Sequence, residues 1–123
     1  MTQATGGAWA HELEVAIAAA RGAGDIVRRW YFGDYTVREK NNRSPLTEAD
    51  VESNEHIAGI LRTQFPDDGW LSEETRDSAE RLRCRRVWIV DPLDGTREFV
   101  ERVPEFVVAI GLAVDGRATL GVE

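Results

Sequence analysis

At 123 residues, with 42% hydrophobic and 30% charged side chains, the chain has the size and make-up of one ordinary globular domain. Its 22 acids against 15 bases leave a net charge of −7, which argues against nonspecific binding to a nucleic-acid backbone, so no nucleic-acid partner is expected. A phosphate-bearing substrate is not excluded, because a divalent cation can supply the missing positive charge.

From Trp9 to Tyr31, apolar residues recur at Leu13, Ala16/Ile17, Ala20, Val27 and Trp30/Tyr31, the spacing of an amphipathic helix. Gly22 and Gly24 weaken that helix and suggest close packing against another element. Asp34 to Lys40 alternate as a short strand or hairpin arm, and Asn41 to Pro45 form a turn-rich loop. Thr47-Glu48-Ala49-Asp50 has the form of a capping box, so a second helix begins at Thr47, buries Ile57, Ile60/Leu61 and Phe65, and stops at Pro66. Trp70-Leu71-Ser72 reads as a short strand ending at Glu73-Glu74, and Thr75 to Arg86 as a charged, solvated loop or short helix. Val87 to Val90 are a buried strand, which Pro92 ends by removing a ladder donor. Phe106 to Val114 and Ala118 to Val122 form a hairpin about Asp115-Gly116. Helices followed by mostly hairpin-connected strands make an α+β fold, two helices packed on a largely antiparallel sheet.

The chemistry concentrates at strand ends. Glu73, Asp91 and Asp94 each follow a short apolar run, and neighbouring strands would bring the three carboxylates together as ligands for a hard cation such as Mg²⁺. The Leu93 carbonyl, between two acids, is a further candidate ligand, and the amides of Gly95 and Thr96 are placed to hold a phosphate. Taken singly, each has a plainer explanation. Glu73-Glu74 is an exposed acidic pair, Asp91 and Asp94 are turn residues bonded to their own backbone, and Asp50 is a helix cap.

The stretches SPLTEAD (Ser44 to Asp50), LSEET (Leu71 to Thr75) and WIVDPLDGT (Trp88 to Thr96) together resemble the inositol monophosphatase family of Mg²⁺-dependent, lithium-sensitive phosphatases. The following Arg97-Glu98-Phe99 is similar to the CysQ-type 3′(2′),5′-bisphosphate nucleotidases within that family. The resemblance implies the layered α/β sandwich of the family. It also implies metal ligation by Glu73, Asp91, Asp94 and the Leu93 carbonyl, and phosphate binding by Gly95 and Thr96. Asp50 would pair with the Thr96 hydroxyl, and that pair with Glu73 would orient and deprotonate the attacking water; Glu74 would support from behind. The implied substrate is a small phosphorylated molecule, 3′-phosphoadenosine 5′-phosphate in the nucleotidase subgroup, with inositol, other sugar or histidinol phosphates as alternatives; the subgroup's work belongs to sulfur assimilation.

The family's chains are about twice this length, and their second half carries a Trp-Asp motif that completes the metal site. Here Trp9, Trp30, Trp70 and Trp88 are followed by other residues, so residues 1–123 are expected to be the N-terminal metal- and phosphate-binding domain, weakly active by itself. A truncated, non-catalytic metal-binding relative is the alternative, and an oligomer covering an open sheet edge is expected in either case. A haloacid-dehalogenase-type phosphatase needs an acid at position 92, where this chain has Pro92, and a calcium loop would place Leu93 at a ligand position. No apolar run nears the ~20 residues of a membrane span and no secretory leader opens the sequence. With Cys84 as its one cysteine, the expected location is the cytoplasm.

Overall fold

The long helix α1 (Ala10–Tyr31) turns its smallest residues inward: Ala16, Ala19 and Ala23 are fully buried, which lets a second helix approach closely. That second helix, α2 (Glu48–Gln64), packs against it and adds Ile57 and Leu61 to the same core. These contacts come from a computed structural model, which describes residues 2–3, 7–39, 45–75, 79–102 and 106–123. The expected turn at 41–44 lies outside the described residues.

Beneath the helices lies a five-stranded sheet, with β1 (Thr2–Gln3), β4 (Gly69–Ser72), β5 (Arg86–Asp94), β6 (Val107–Val114) and β7 (Arg117–Val122) in the order β1-β7-β6-β5-β4. Trp88 and Val90 of β5, Ile110, Leu112 and Val114 of β6, and Leu120 and Val122 of β7 face the helices and complete the main core. Pleat alternation then turns Ile89, Ala109 and Gly111 to the opposite face, where Ile89 is 48% exposed. A separate two-stranded ribbon, β2 (Val37–Glu39) with β3 (Pro45–Thr47), leads into α2.

The layered α+β architecture agrees with the pattern in the sequence, and three local features depart from it. The pairing of β4 with β5 is parallel, where hairpin connections alone would make every pair antiparallel. The two-residue β1, unsignalled by any pattern, pairs with Gly121 and Val122 and covers part of the β7 edge. Most consequential, β5 does not stop at Val90. It runs on through Asp91-Pro92-Leu93-Asp94, because the missing N–H of Pro92 falls inside a bulge where the ladder is irregular and needs no donor. The 3₁₀ turn at Ala79–Arg83 and the short helix α3 (Thr96–Val100) complete the elements. At the β6–β7 turn, Asp115 and Gly116 both have positive φ, 52° and 79°, as a type I′ hairpin requires.

The two glycines of α1 have different reasons. At Gly22 an added Cβ would collide with the ring of His56, so the absence of a side chain is what seats α2. At Gly24 an added Cβ meets no atom of the described residues within 4 Å. Gly24→Ala should therefore raise stability by about 0.5–1 kcal/mol through helix propensity alone. Gly22→Ala should lower it by ~1–3 kcal/mol through overpacking, with most of the loss relieved when His56→Ala is added. Thermal unfolding followed by circular dichroism checks both; equal shifts for the two glycines would contradict the packing described.

Candidate functional site

The bulge in β5 decides where the acids point. In a regular strand residues 91 and 94 would lie on opposite faces, since successive side chains alternate. Here Asp91 pairs with Ala109 and Asp94 with Val107, two residues apart on β6. The extra residue in β5 thus brings both carboxylates to the sheet face away from the helices. Pro92 and Leu93 take the opposite direction and are buried one after the other; Leu93 joins a second core with Val27, Ala49 and Phe99. Gly95 follows with φ 94°, a left-handed conformation that glycine adopts without strain, and caps α3.

Glu73 reaches the same place from β4. Its backbone N–H donates to the Val90 carbonyl at 3.4 Å, setting it beside the end of β5, and its carboxyl is hydrogen-bonded to that of Asp91. The Asp91 carboxyl is consequently pushed up from 3.8 to about 7, first by burial, then by the charges of Glu73 and Asp94 and the bond to Glu73, with a backbone bond from Leu93 opposing. Asp91 Oδ1 is buried and has no hydrogen-bond partner among the described residues. A crowded acid pair with an orphaned oxygen is the environment that a hard divalent cation would relieve. Among the described residues no three acidic, histidine or cysteine side chains are placed to hold a metal ion together, Glu73, Asp91 and Asp94 included, so most of an octahedral shell would have to come from water or other groups.

Asp50 and Thr96, which the resemblance paired, are hydrogen-bonded to each other. Thr96 Oγ1 donates to Asp50 Oδ1 at 2.7 Å and lies 3.0 Å from the Leu93 carbonyl oxygen. Asp50 Oδ2 accepts from the Thr47 backbone N–H at 2.8 Å and from its hydroxyl at 2.7 Å, so the cap and the long-range pairing coexist on one carboxylate. The Leu93 carbonyl, a candidate ligand, is thus already within reach of one donor; its second lone pair leaves ligation chemically open. An open groove of about 620 Å³, lined by Ile89, Ala109, Gly111 and Gly121, runs along the sheet to Glu73 and Asp91.

Pattern reading missed the polar residues that join these parts. Ser53 Oγ lies 3.3 Å from the Pro92 carbonyl oxygen, and Asn54 is bonded to both Ser72 and Thr75. The available signal was their position: Asp50, Ser53 and Asn54 occupy one face of α2 at i, i+3 and i+4, where an apolar stripe would otherwise begin.

A raised carboxyl pKa has a definite consequence for stability. Between the ordinary carboxylate range and about 7 the folded chain binds more protons than the unfolded one, so stability should fall as pH rises through that window. In chelator, the melting temperature should drop between pH 5 and pH 8, and the Asp91→Asn chain should lose most of that slope. A slope of undiminished size in the variant would assign the titration elsewhere.

The sequence model of the inositol monophosphatase family matches residues 9–122. The 3′(2′),5′-bisphosphate nucleotidase CysQ of Salmonella typhimurium is 42% identical over 113 residues, 89% of this chain and 46% of that protein. Inositol monophosphatase 3 of Solanum lycopersicum is 37% identical over 112 residues, 89% of this chain and 42% of that protein. Among solved structures, the extragenic suppressor protein suhB of Bartonella henselae superposes with a TM-score of 0.84 at 31% identity, over 91% of this chain and 44% of its own. The chain spans a little under half the length of the curated relatives it matches. On the family match across nearly its whole length, with the fold and the relatives in agreement, the chain belongs to the inositol monophosphatase family.

Proposed function

We propose that this chain forms the cation- and phosphate-binding part of a Mg²⁺-dependent phosphomonoesterase whose substrate is a nucleoside bisphosphate, 3′-phosphoadenosine 5′-phosphate, cleaved to AMP and phosphate. The observation that carries the reading is the buried, unpartnered Asp91 Oδ1 beside Glu73 and Asp94, with the Asp50–Thr96 pair adjoining it across the bulge. Glu73, Asp91 and Asp94 would hold the cation, the Leu93 carbonyl contributing through its free lone pair. When bound there, Mg²⁺ supplies positive charge to the transferring phosphoryl group and lowers the pKa of water.

The remaining work falls to the chain's own groups. The first-turn amides of α3, at Gly95 and Thr96, have no intrahelical acceptor and would donate to a phosphate oxygen. The Thr96 hydroxyl gives its hydrogen to Asp50, so its oxygen lone pairs are left able to accept from an attacking water. As that water attacks phosphorus, its proton passes to Thr96 Oγ1 while the threonine proton moves to Asp50 Oδ1. Glu73 would accept the water's second hydrogen and fix its angle of approach. The phosphorus–ester oxygen bond breaks as the new bond forms, and the departing ribose 3′-oxygen takes up a proton from solvent to leave as the hydroxyl of AMP. The groove beside Ile89, Ala109 and Gly111 offers space for the organic part of the substrate.

Preference for the nucleotide is supported by Arg97-Glu98-Phe99 directly after the phosphate-binding threonine, and by identity to a CysQ nucleotidase of 42% against 37% to an inositol monophosphatase. The second substrate, inositol 1-phosphate, is favoured by that same 37% relative.

Asp94→Asn should weaken Mg²⁺ binding at least about tenfold in titration calorimetry, while Glu80→Gln, on the charged 3₁₀ turn, should leave it unchanged. Equal effects from the two would remove the cation site. In parallel turnover assays at saturating Mg²⁺, kcat/KM should be higher for 3′-phosphoadenosine 5′-phosphate than for inositol 1-phosphate; the reverse order would hand the site to the inositol phosphatases.

A further inference from the structure

The acidic turn after β4 carries Glu73 and Glu74, and a turn that places two acids side by side needs something behind it to hold its shape. Asn54 is the residue that reaches it from α2. Its side chain is 8% exposed and touches both flanks of the acidic pair: Oδ1 accepts from the Ser72 hydroxyl at 2.5 Å, and Nδ2 donates to Thr75 Oγ1 at 2.9 Å. Ser72 is itself buried, 5% exposed, and its oxygen accepts from the Glu74 backbone N–H at 3.2 Å.

The bonds run in one sense around the turn: the Ser72 oxygen accepts from the Glu74 backbone N–H and its hydroxyl hydrogen is given to the Asn54 amide oxygen. The amide NH₂ then faces Thr75, which can accept. A leucine of similar size lacks both functions and would leave the two hydroxyls without this partner. The chain Glu74 N–H, Ser72 hydroxyl, Asn54, Thr75 therefore closes a ring around the turn.

Asn54 also belongs to a row. On the same helix face Asp50 holds Thr96 and Ser53 lies against the Pro92 carbonyl, so α2 contacts the turn after β4, the bulge of β5 and the start of α3. We propose that Asn54 is a positioning residue: it fixes the Ser72–Thr75 turn so that Glu73 meets Asp91, and it thereby sets the affinity of the site for a divalent cation. The inference rests on Glu73 being a cation ligand, the reading given under Proposed function.

The test uses the whole chain with Asn54→Ala, Thr75→Val and Thr75→Ser, read by Mg²⁺ titration calorimetry and by hydrogen exchange at the amides of residues 73–75. Asn54→Ala and Thr75→Val should each weaken Mg²⁺ roughly tenfold or more, as loss of an outer partner of a metal ligand commonly does, and should speed exchange at those amides. Thr75→Ser, which keeps the hydroxyl, should match the parent in both. Protection of the α1 and α2 core amides should stay unchanged, separating a local loosening from general unfolding. If Asn54→Ala fails to fold, the Thr75 pair carries the comparison by itself. Unchanged Mg²⁺ affinity and exchange in Thr75→Val, alongside weakened binding in Asp94→Asn, would overturn the positioning role. If the parent chain binds no Mg²⁺ at all, the cation site fails instead, and exchange at residues 73–75 still decides whether Asn54 holds the turn.

Discussion

A carboxylate with no solvent exposure is expensive unless its oxygens are hydrogen-bonded, and Asp50 meets that condition with donors from two distant parts of the chain. One oxygen caps its own helix at Thr47; the other accepts from Thr96, forty-six residues on. The start of α2 and the start of α3 are therefore not independent. Any shift of α2 must move Thr96 or cost the buried carboxyl one of its three hydrogen bonds, a loss of roughly 1.5–3 kcal/mol. The rest of the site is laid out along this axis, with Ser53 and Asn54 one turn further along the helix.

The helix can serve as that template because its other side is firmly seated. Ile57 and Leu61 continue into the core with Ala16, Ala19 and Ala23 of α1, and Gly22 lets His56 lie against the α1 backbone. At the far end of the sheet Arg86 is paired with Glu12 at 3.1 Å and lies over the rings of Trp9 and Phe65, tying the first strand residue of β5 to the start of α1. Apolar packing thus fixes the layers, while the polar face of α2 is left to hold the site.

The acids themselves work against stability. Glu73, Asp91 and Asp94 repel one another, and Asp91 is half-buried as well. What holds them is the bulge, which drives Pro92 and Leu93 inward so that burying them offsets the crowding outside. Like-charge crowding at the site is offset by packing of the neighbouring residues on the other side of the sheet, a common arrangement where a chain must keep like charges together for a ligand. The left-handed Gly95 then turns the backbone from strand to helix within one residue, so that Thr96 can face Asp50.

Much of this was legible in the amino acids. Spacing of Leu13, Ala16, Ala20 and Val27 sufficed for α1, the Thr47–Asp50 box for the start of α2, and Asp115-Gly116 for the last hairpin, because these features depend on contacts within a few residues. The acidic positions and Thr96 stood out as residue types for cation and phosphate chemistry, and the family they resemble is the family to which the chain belongs. Other properties depend on a partner strand or helix and have no local signature. Strand β5 reads as ending at Pro92, yet its register against β6 carries it to Asp94 and turns Asp91 and Asp94 to one face. Ser53, Asn54 and Ser72 look like ordinary polar residues until α2 is laid across the sheet and their hydrogen bonds find acceptors and donors far away in sequence. Local pattern records periodicity, caps and turns; which side chains meet across thirty or forty residues is settled only when the layers pack and every buried polar group must find its partner.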